Sequence, residues 1–249
     1  MPELGFGGVT HWWMTHARPS WPRAIEEPPG PRPPARVGPG EMRVTLIGHS
    51  TLLLQLDGIN VLTDPIYSEV SGPLSWVGVP RIRPPAVRYE DLPRIDVVIV
   101  SHNHYDHMDL PTLQRLGRDH APVVVVGLGN ERFLTAEGVP NVRALDWWQT
   151  TKIKGVEVAA VPVQHGSRRG LSDSMGTLWC GYVVTGPEAG RAYFAGDTGW
   201  GPHFAQVGQR YAPIRLAMLP IGAYLPRRYL APVHISPTEA VRAHRALKA

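Results

Sequence analysis

Three histidines and an aspartate fall within six residues, at His102, His104, Asp106 and His107, in the order H-x-H-x-D-H. Imidazole nitrogen and carboxylate oxygen suit borderline divalent cations such as zinc. In an extended turn His102 and His104 project the same way and can share one ion. Asp106 and His107 come round the next turn and can face a second. An acid between glycines recurs at Gly196-Asp197-Thr198-Gly199. A carboxylate there can bridge two cations, one oxygen to each, although Asp also suits a glycine-rich turn for its own geometry.

The surrounding pattern explains how a chain could present these groups. Asp96-Val97-Val98-Ile99-Val100 reads as a buried strand. Leu110 to Gly117 has helical apolar spacing, with Pro111 in its first turn and a glycine at its end. The histidines therefore lie on a loop leaving the carboxyl end of a strand, where open α/β sheets commonly bind ligands. Strands are also expected at 44–47, 51–56 and 59–63, with Asp57-Gly58 as a two-residue hairpin turn. Further strands are expected at 123–126, 142–145, 156–163, 178–184, 191–195 and 216–221, and a short helix over Asn130 to Glu137. The 156–163 strand delivers Gln164-His165-Gly166. His234 stands just before Ser236-Pro237-Thr238-Glu239, a capping box that opens the last helix. Residues 66–95, with Pro73, Pro80, Pro84, Pro85 and Pro93, read as a long loop of the kind that covers functional sites. Trp76 and Val77 could line a cleft there or pack into the core.

Composition limits the alternatives. The chain has 249 residues and 43% hydrophobic content, enough for one sizeable core and one domain. The formal charge is +4, with basic residues dispersed among acids, so no nucleic-acid partner is expected. There is no apolar run of ~18 residues to cross a membrane, and the amino end lacks the pattern of a secretory signal. The single cysteine, Cys180, rules out an internal disulfide and fits a cytoplasmic location. Residues 1–40 hold nine of the 26 prolines and read as a proline-rich arm before a domain at 41–249. Trp12, Trp13 and Trp21 in the arm pack on the domain or, alternatively, touch a membrane surface peripherally. His11 and His16 read as surface residues.

The stretch Ile99 to His107 resembles the metal motif of the metallo-β-lactamase superfamily. More narrowly it resembles the branch containing N-acylphosphatidylethanolamine-hydrolysing phospholipase D and its bacterial relatives. The resemblance runs from about residue 40 to the end. Its other specific parts are Leu62-Thr63-Asp64-Pro65, Gly196 to Gly199, and Ile221-Gly222-Ala223-Tyr224 with His234 beyond. It implies an α/β fold, a four-layer αββα sandwich, and two Zn2+ ions. His102, His104 and His165 would hold one ion, Asp106, His107 and His234 the other, and Asp197 would bridge them, so that Asp106 and Asp197 are the catalytic carboxylates. Asp64 would support the histidines from behind, or simply form an Asp-Pro turn. His49, in Gly48-His49-Ser50-Thr51, matches a Gly-His-Ala-Thr pattern and would line the pocket. Arg168 and Arg169 would meet a substrate phosphate or lie solvated, and Tyr224 would stand on the substrate side. The implied activity is a phosphodiesterase of phospholipase D type acting on a lipid or small-molecule phosphodiester. A lactonase or other ester hydrolase, or a metal-binding protein without catalysis, is the alternative. The resembling proteins run on past the last helix, so a shortened or carboxyl-terminally incomplete domain is expected.

Overall fold

Alternation within the strands decides the architecture. In the strand Val97–Val100, Val97 and Ile99 face one apolar cluster while Val98 and Val100 face another, so both sides are buried. The computed structural model describes Met14, Thr15, residues 22–170 and residues 172–249. The arm aromatics Trp12, Trp13 and Trp21, and His11 and His16, lie outside those residues.

One sheet contains, in spatial order, β1 (Met42–Gly48), β2 (Thr51–Leu56), β3 (Ile59–Thr63), β6 (Val97–Val100), β7 (Val123–Gly127) and β8 (Val142–Leu145). The first three strands are antiparallel; β3, β6, β7 and β8 run parallel. Leu56 pairs with Ile59 across Asp57-Gly58, and both turn residues have positive φ (46° and 76°), as a two-residue hairpin of this kind requires. The second sheet is ordered β13 (Leu216–Met218), β12 (Gly190–Phe194), β11 (Gly181–Gly186), β10 (Val156–Val161), β9 (Thr150–Ile153).

Three apolar interfaces separate four layers. Leu54, Val61, Val97 and Ile99 of the first sheet meet Val156, Val158, Tyr182 and Phe194 of the second. On the first sheet's outer side Leu53, Leu62, Val98 and Val100 pack on α1 (Leu110–Asp119) and α2 (Asn130–Ala136) through Leu113, Leu116 and Leu134. On the second sheet's outer side Ala159, Val161, Val183 and Tyr193 pack on α3 (His203–Tyr211) and on the final helix, Pro237–Leu247. This is the αββα sandwich. A short helix, α4 (Arg227–Leu230), precedes the final one, which is therefore α5. The expected capping box is present: Ser236 Oγ accepts from the Glu239 backbone, and the Glu239 carboxylate accepts from the Ser236 backbone N–H at 2.8 Å.

Three local expectations change. Helix α1 does not stop at Gly117 but runs to Asp119; a Cβ at residue 117 would lie 2.5 Å from the Pro140 ring, so the glycine serves close packing. The proline-rich 66–95 segment contains a two-stranded hairpin, β4 (Val70–Leu74) and β5 (Val77–Pro80). Its strands cross where Gly72 faces Gly78, and a Cβ on Gly72 would come within 1.9 Å of the Val77 carbonyl. Trp76 (77% exposed) and Val77 (38%) therefore stand on an outlying ribbon and are not core residues. The described part of the arm lies along the domain: Ile25 N–H donates to Ile82 O at 2.8 Å, Gln55 donates to Pro34 O at 2.9 Å, and Arg36 pairs with the buried carboxylate of Asp96.

Candidate metal centre

Because β3 and β6 are parallel neighbours, Asp64 and Ser101 leave the sheet side by side. Asp64 takes the turn with φ 34° and directs a fully buried carboxylate back into the loop. That carboxylate accepts from Ser101 N–H and Ser101 Oγ–H, each at 2.7 Å, and lies 2.7 Å from His107 Nδ1. The turn and the support role thus belong to the same residue. With His107 Nδ1 engaged, Nε2 is left free to face inward. Ser101 Oγ also lies 2.9 Å from His102 Nδ1, which turns His102 Nε2 toward His104 Nδ1 at 2.7 Å.

The second sheet brings in the remaining groups. His165 follows β10; its Nδ1 lies 3.1 Å from the Val233 carbonyl, and its Nε2 lies 3.4 Å from His104 Nδ1. Asp197 follows β12. Its Oδ2 is 3.3 Å from His107 Nε2, 3.9 Å from His165 Nε2 and 3.8 Å from His234 Nδ1. The two loops are tied together: Gln164 and Gly199 form a β-bridge, and the Thr198 hydroxyl accepts from Gln164 N–H at 3.0 Å. His234 is held through its backbone. Arg227 donates to His234 O at 2.8 Å while forming two bonds, 2.9 and 2.8 Å, to Glu239 in the first turn of α5.

The donor set fits divalent cations. Among the described residues, four groups have ligand atoms all within 4.8 Å of one another: His102, His104 and His165; His49, Asp106 and His107; His102, His107 and Asp197; and His165, Asp197 and His234. Ligands about 2.0–2.1 Å from a tetrahedral ion stand roughly 3.3 Å apart, and the spacings above bracket that value. Among the described residues, buried His107 Nε2 makes no hydrogen bond of good geometry, with Asp197 Oδ2 3.3 Å away, a shortfall that coordination would remove. Burial, followed by neighbouring imidazoles, holds His102 well below its usual range, and burial pushes His165 down to about 4, so both favour the neutral form that ligates metal. Burial opposes charge on Asp106 as well, but His49 and His107 outweigh it and hold its carboxyl at about 2. His107 is raised despite burial, because Asp197 and Asp64 flank it. The cluster therefore calls for positive charge between ionised carboxylates.

All seven candidate metal ligands, Asp106 among them, fall in these linked groups. His102, His104, His107, His165, Asp197 and His234 come together, but His234 groups with His165 and Asp197 and not with Asp106 and His107. That differs from the set expected from the resemblance. His49 takes the place beside Asp106, with Nε2 3.4 Å from Asp106 Oδ2. Arg169 borders a recess beside His104 and is engaged within the fold: its guanidinium donates to Asn103 O (3.2 Å) and Met108 O (2.8 Å) and lies 4.3 Å over the Tyr105 ring. Tyr105 returns a bond to Arg169 O at 2.9 Å, so the residue braces the histidine loop. Arg168 is exposed and borders a recess of about 530 Å³ with His104 and Tyr105. Tyr224 is half-buried in the loop after β13. His203 is buried beneath the Asp197 loop, 3.1 Å from the Thr198 hydroxyl. Ser101 and Arg227 were not among the candidates. Ser101 adjoins His102 in the motif, whereas nothing local to Arg227 marks its partners. A second cavity of about 550 Å³ opens from His49, His104 and Asp106 under the β4–β5 hairpin, walled by Ile66, Val79, Pro80 and Ile82 among others.

Residues 59–249 match the family described as the beta-lactamase superfamily domain. An uncharacterised protein of Mycobacterium tuberculosis (strain ATCC 25618 / H37Rv) is 44% identical over 206 residues, 82% of this chain and 54% of that protein. The N-acyl-phosphatidylethanolamine-hydrolyzing phospholipase D 1 of Caenorhabditis elegans is 37% identical over 216 residues, 82% of this chain and 60% of the relative. The solved structure of isothiocyanate hydrolase from Delia radicum gut bacteria matches with a TM-score of 0.65 at 26% identity, covering 83% of this chain and 82% of its own. The chain belongs to the metallo-β-lactamase superfamily, and the relatives it is similar to include N-acylphosphatidylethanolamine-hydrolysing phospholipase D proteins. It spans little more than half the length of the curated relatives it matches, 54% and 60%.

Proposed function

We propose that the chain is a binuclear zinc hydrolase of phosphodiesters, of phospholipase D type, with N-acylphosphatidylethanolamine-like lipids as its substrate class. The observation that carries this reading is the junction of two features. A convergent histidine and carboxylate cluster forms one end of a largely apolar cavity of about 550 Å³, with His104 and Asp106 in its wall. His102, His104 and His165 would hold one zinc, Asp106 and His107 the other, with Asp197 between them and His234 on the His165 side. Bound there, the ions supply positive charge for the attacked phosphoryl group and water whose pKa is lowered to about 7. The chain's own residues do the rest. Asp64, Ser101 and the Val233 carbonyl hold the imidazoles in one tautomer and one orientation. The cavity receives acyl chain and excludes water from it. Arg168, exposed beside His104 with its Nε bonded to Gly170 O, is placed to pair with a phosphate oxygen.

Lipid as the substrate class is supported by the hairpin over the cavity, which leaves Leu74 (50%), Trp76 (77%) and Val79 (71%) exposed. Among the described residues no helix is long and apolar enough to cross a membrane, so this ribbon is where peripheral contact would form. The test is a substrate panel on zinc-reconstituted protein: an N-acylphosphatidylethanolamine, a short soluble phosphodiester and an acyl lactone, with metal measured in parallel. The expected result is about two zinc per chain and turnover of the lipid phosphodiester above the others. Lactone turnover without phosphodiester cleavage would instead select the ester-hydrolase reading, and absence of bound metal after reconstitution would refute both.

A further inference from the structure

We propose that His203 is a positioning residue of the metal centre, acting on the carboxylate of Asp197 through the hydroxyl of Thr198. The inference rests on the metal reading above, in which Asp197 stands beside His165 at the ions. Thr198 is fully buried and ties together the loops that carry three members of the cluster. Its hydroxyl accepts from Gln164 N–H at 3.0 Å, one residue before His165. Its carbonyl accepts from Ile235 N–H at 2.8 Å, one residue after His234. Next to it, Gly199 N–H donates to Gln164 O at 2.7 Å, and a Cβ on Gly199 would come within 2.2 Å of the Pro232 carbonyl. On the other side of Asp197, Gly196 turns with φ 59°, and a Cβ there would meet the Ser101 side chain at 2.5 Å. Asp197 is thus clamped between two close approaches of backbone, and Thr198 supplies the side-chain bond in that clamp.

His203 closes the clamp from the outer helical layer. It is the first residue of α3, is buried, and places Nε2 3.1 Å from the Thr198 hydroxyl. It belongs to none of the ligand groups, so coordination does not account for a buried imidazole here, whereas the bond to the hydroxyl does. The hydroxyl also lies 2.8 Å from Gly199 O. With its one hydrogen on Gly199 O, it accepts from Gln164 N–H on one side and from His203 Nε2–H on the other. Three neighbours therefore fix the Thr198 rotamer. Without the imidazole the side chain is freer to turn away from Gln164. The Asp197 and His165 loops then lose a tie that sets the spacing of their ligand atoms, 3.9 Å between Asp197 Oδ2 and His165 Nε2. An incoming ion must order the loops itself, and lost preorganisation lowers affinity.

The experiment compares the wild-type chain with His203→Phe, His203→Gln, Thr198→Val and the variant carrying both His203→Phe and Thr198→Val. Zinc affinity is read by competition with a chromophoric chelator, the ligand field by the visible absorption of the cobalt-substituted proteins, and folding by melting of the metal-free ones. Gln brings an amide that can donate or accept close to the place of Nε2; His203→Leu replaces His203→Phe should the larger ring prevent folding. In His203→Phe the tightest zinc equivalent should weaken by about three- to tenfold, with its cobalt bands shifted. His203→Gln should restore both. Adding His203→Phe to Thr198→Val should cause no further loss, because the route through the hydroxyl is already gone. A His203→Phe protein that melts lower without metal, yet binds zinc and cobalt as the wild type does, would overturn the inference and leave His203 a packing residue. Equal losses in His203→Gln and His203→Phe, or additive losses in the double variant, would overturn it too. Each of these leaves the metal reading intact, whereas a wild-type chain that takes up no zinc would overturn both.

Discussion

Asp64→Asn should leave the fold in place and weaken metal binding on the His107 side. The argument is one of tautomers. In the wild type the buried Asp64 carboxylate can only accept, so His107 Nδ1, 2.7 Å away, carries the proton and Nε2 presents a lone pair. Asn suits the positive φ of 34° at this position, so the backbone is not the variable. Its carbonyl oxygen can still take the Ser101 N–H, which now meets Asp64 Oδ1 at 2.7 Å. Its amide nitrogen then replaces Oδ2 and donates toward His107. The imidazole answers by moving its proton to Nε2, where it blocks coordination. To ligate, the variant must turn two donors toward each other in a fully buried site. Leaving a buried donor unsatisfied costs about 1–3 kcal/mol, which is about 5- to 150-fold in affinity. Chelator competition should therefore show one zinc position weakened by that factor, while the metal-free protein melts within a few degrees of wild type. Metal affinity within about twofold of wild type would refute the tautomer argument. A collapse of the metal-free protein would show that Asp64 acts as a structural anchor instead.

Arg168→Ala and Arg169→Ala should separate. Loss of a charged contact to phosphate at Arg168 costs about 2–3 kcal/mol, or about 30- to 150-fold in kcat/KM on a phosphodiester, with a lactone spared. Arg169→Ala should lower turnover of every substrate and the melting temperature too, because it releases the Asn103 and Met108 carbonyls; the same panel and thermal melts decide both. Acid stability should depend on Asp96, whose side chain is 1% exposed. Burial alone would raise its pKa, but bonds from Arg36, Lys154 and the Asn60 N–H outweigh it and hold it below its ordinary 3.8. Its contribution is therefore present above that value and is lost as pH falls through the lower folded one. Asp96→Asn should cost about 1–3 kcal/mol at neutral pH, and should flatten the acid side of a melting profile taken from pH 7 to pH 3; a parallel acid side would refute the linkage.

What the sequence discloses about this molecule follows the range of the interactions involved. The histidine loop is legible because its candidate ligands are contiguous and lie between a strand buried on both faces and a helix with Pro near its start. The Asp57-Gly58 turn and the Ser236–Glu239 cap are legible for the same reason, since each is closed by neighbours in the chain. The hairpin over the cavity is not, because its prolines and glycines imitate irregular loop, and its pairing depends on two glycine backbones meeting where no Cβ would fit. Strand β9 is polar and lies at a sheet edge, so it lacks the apolar run that marks its neighbours. The same limit operates within the site. A basic pair directly after His165 suggests an anion partner, yet Arg169 spends its donors on carbonyls of a loop far away in sequence, and only the packed sheets bring that loop within reach. His49 and His234 illustrate the converse. The family resemblance assigns His234 to the outer ion and His49 to the wall, while in the structure His234 stands 3.8 Å from Asp197 and His49 3.4 Å from Asp106. Which imidazole stands beside which carboxylate is thus set by loops that meet only in the folded chain, and that is the level at which spacing along a single chain stops being informative.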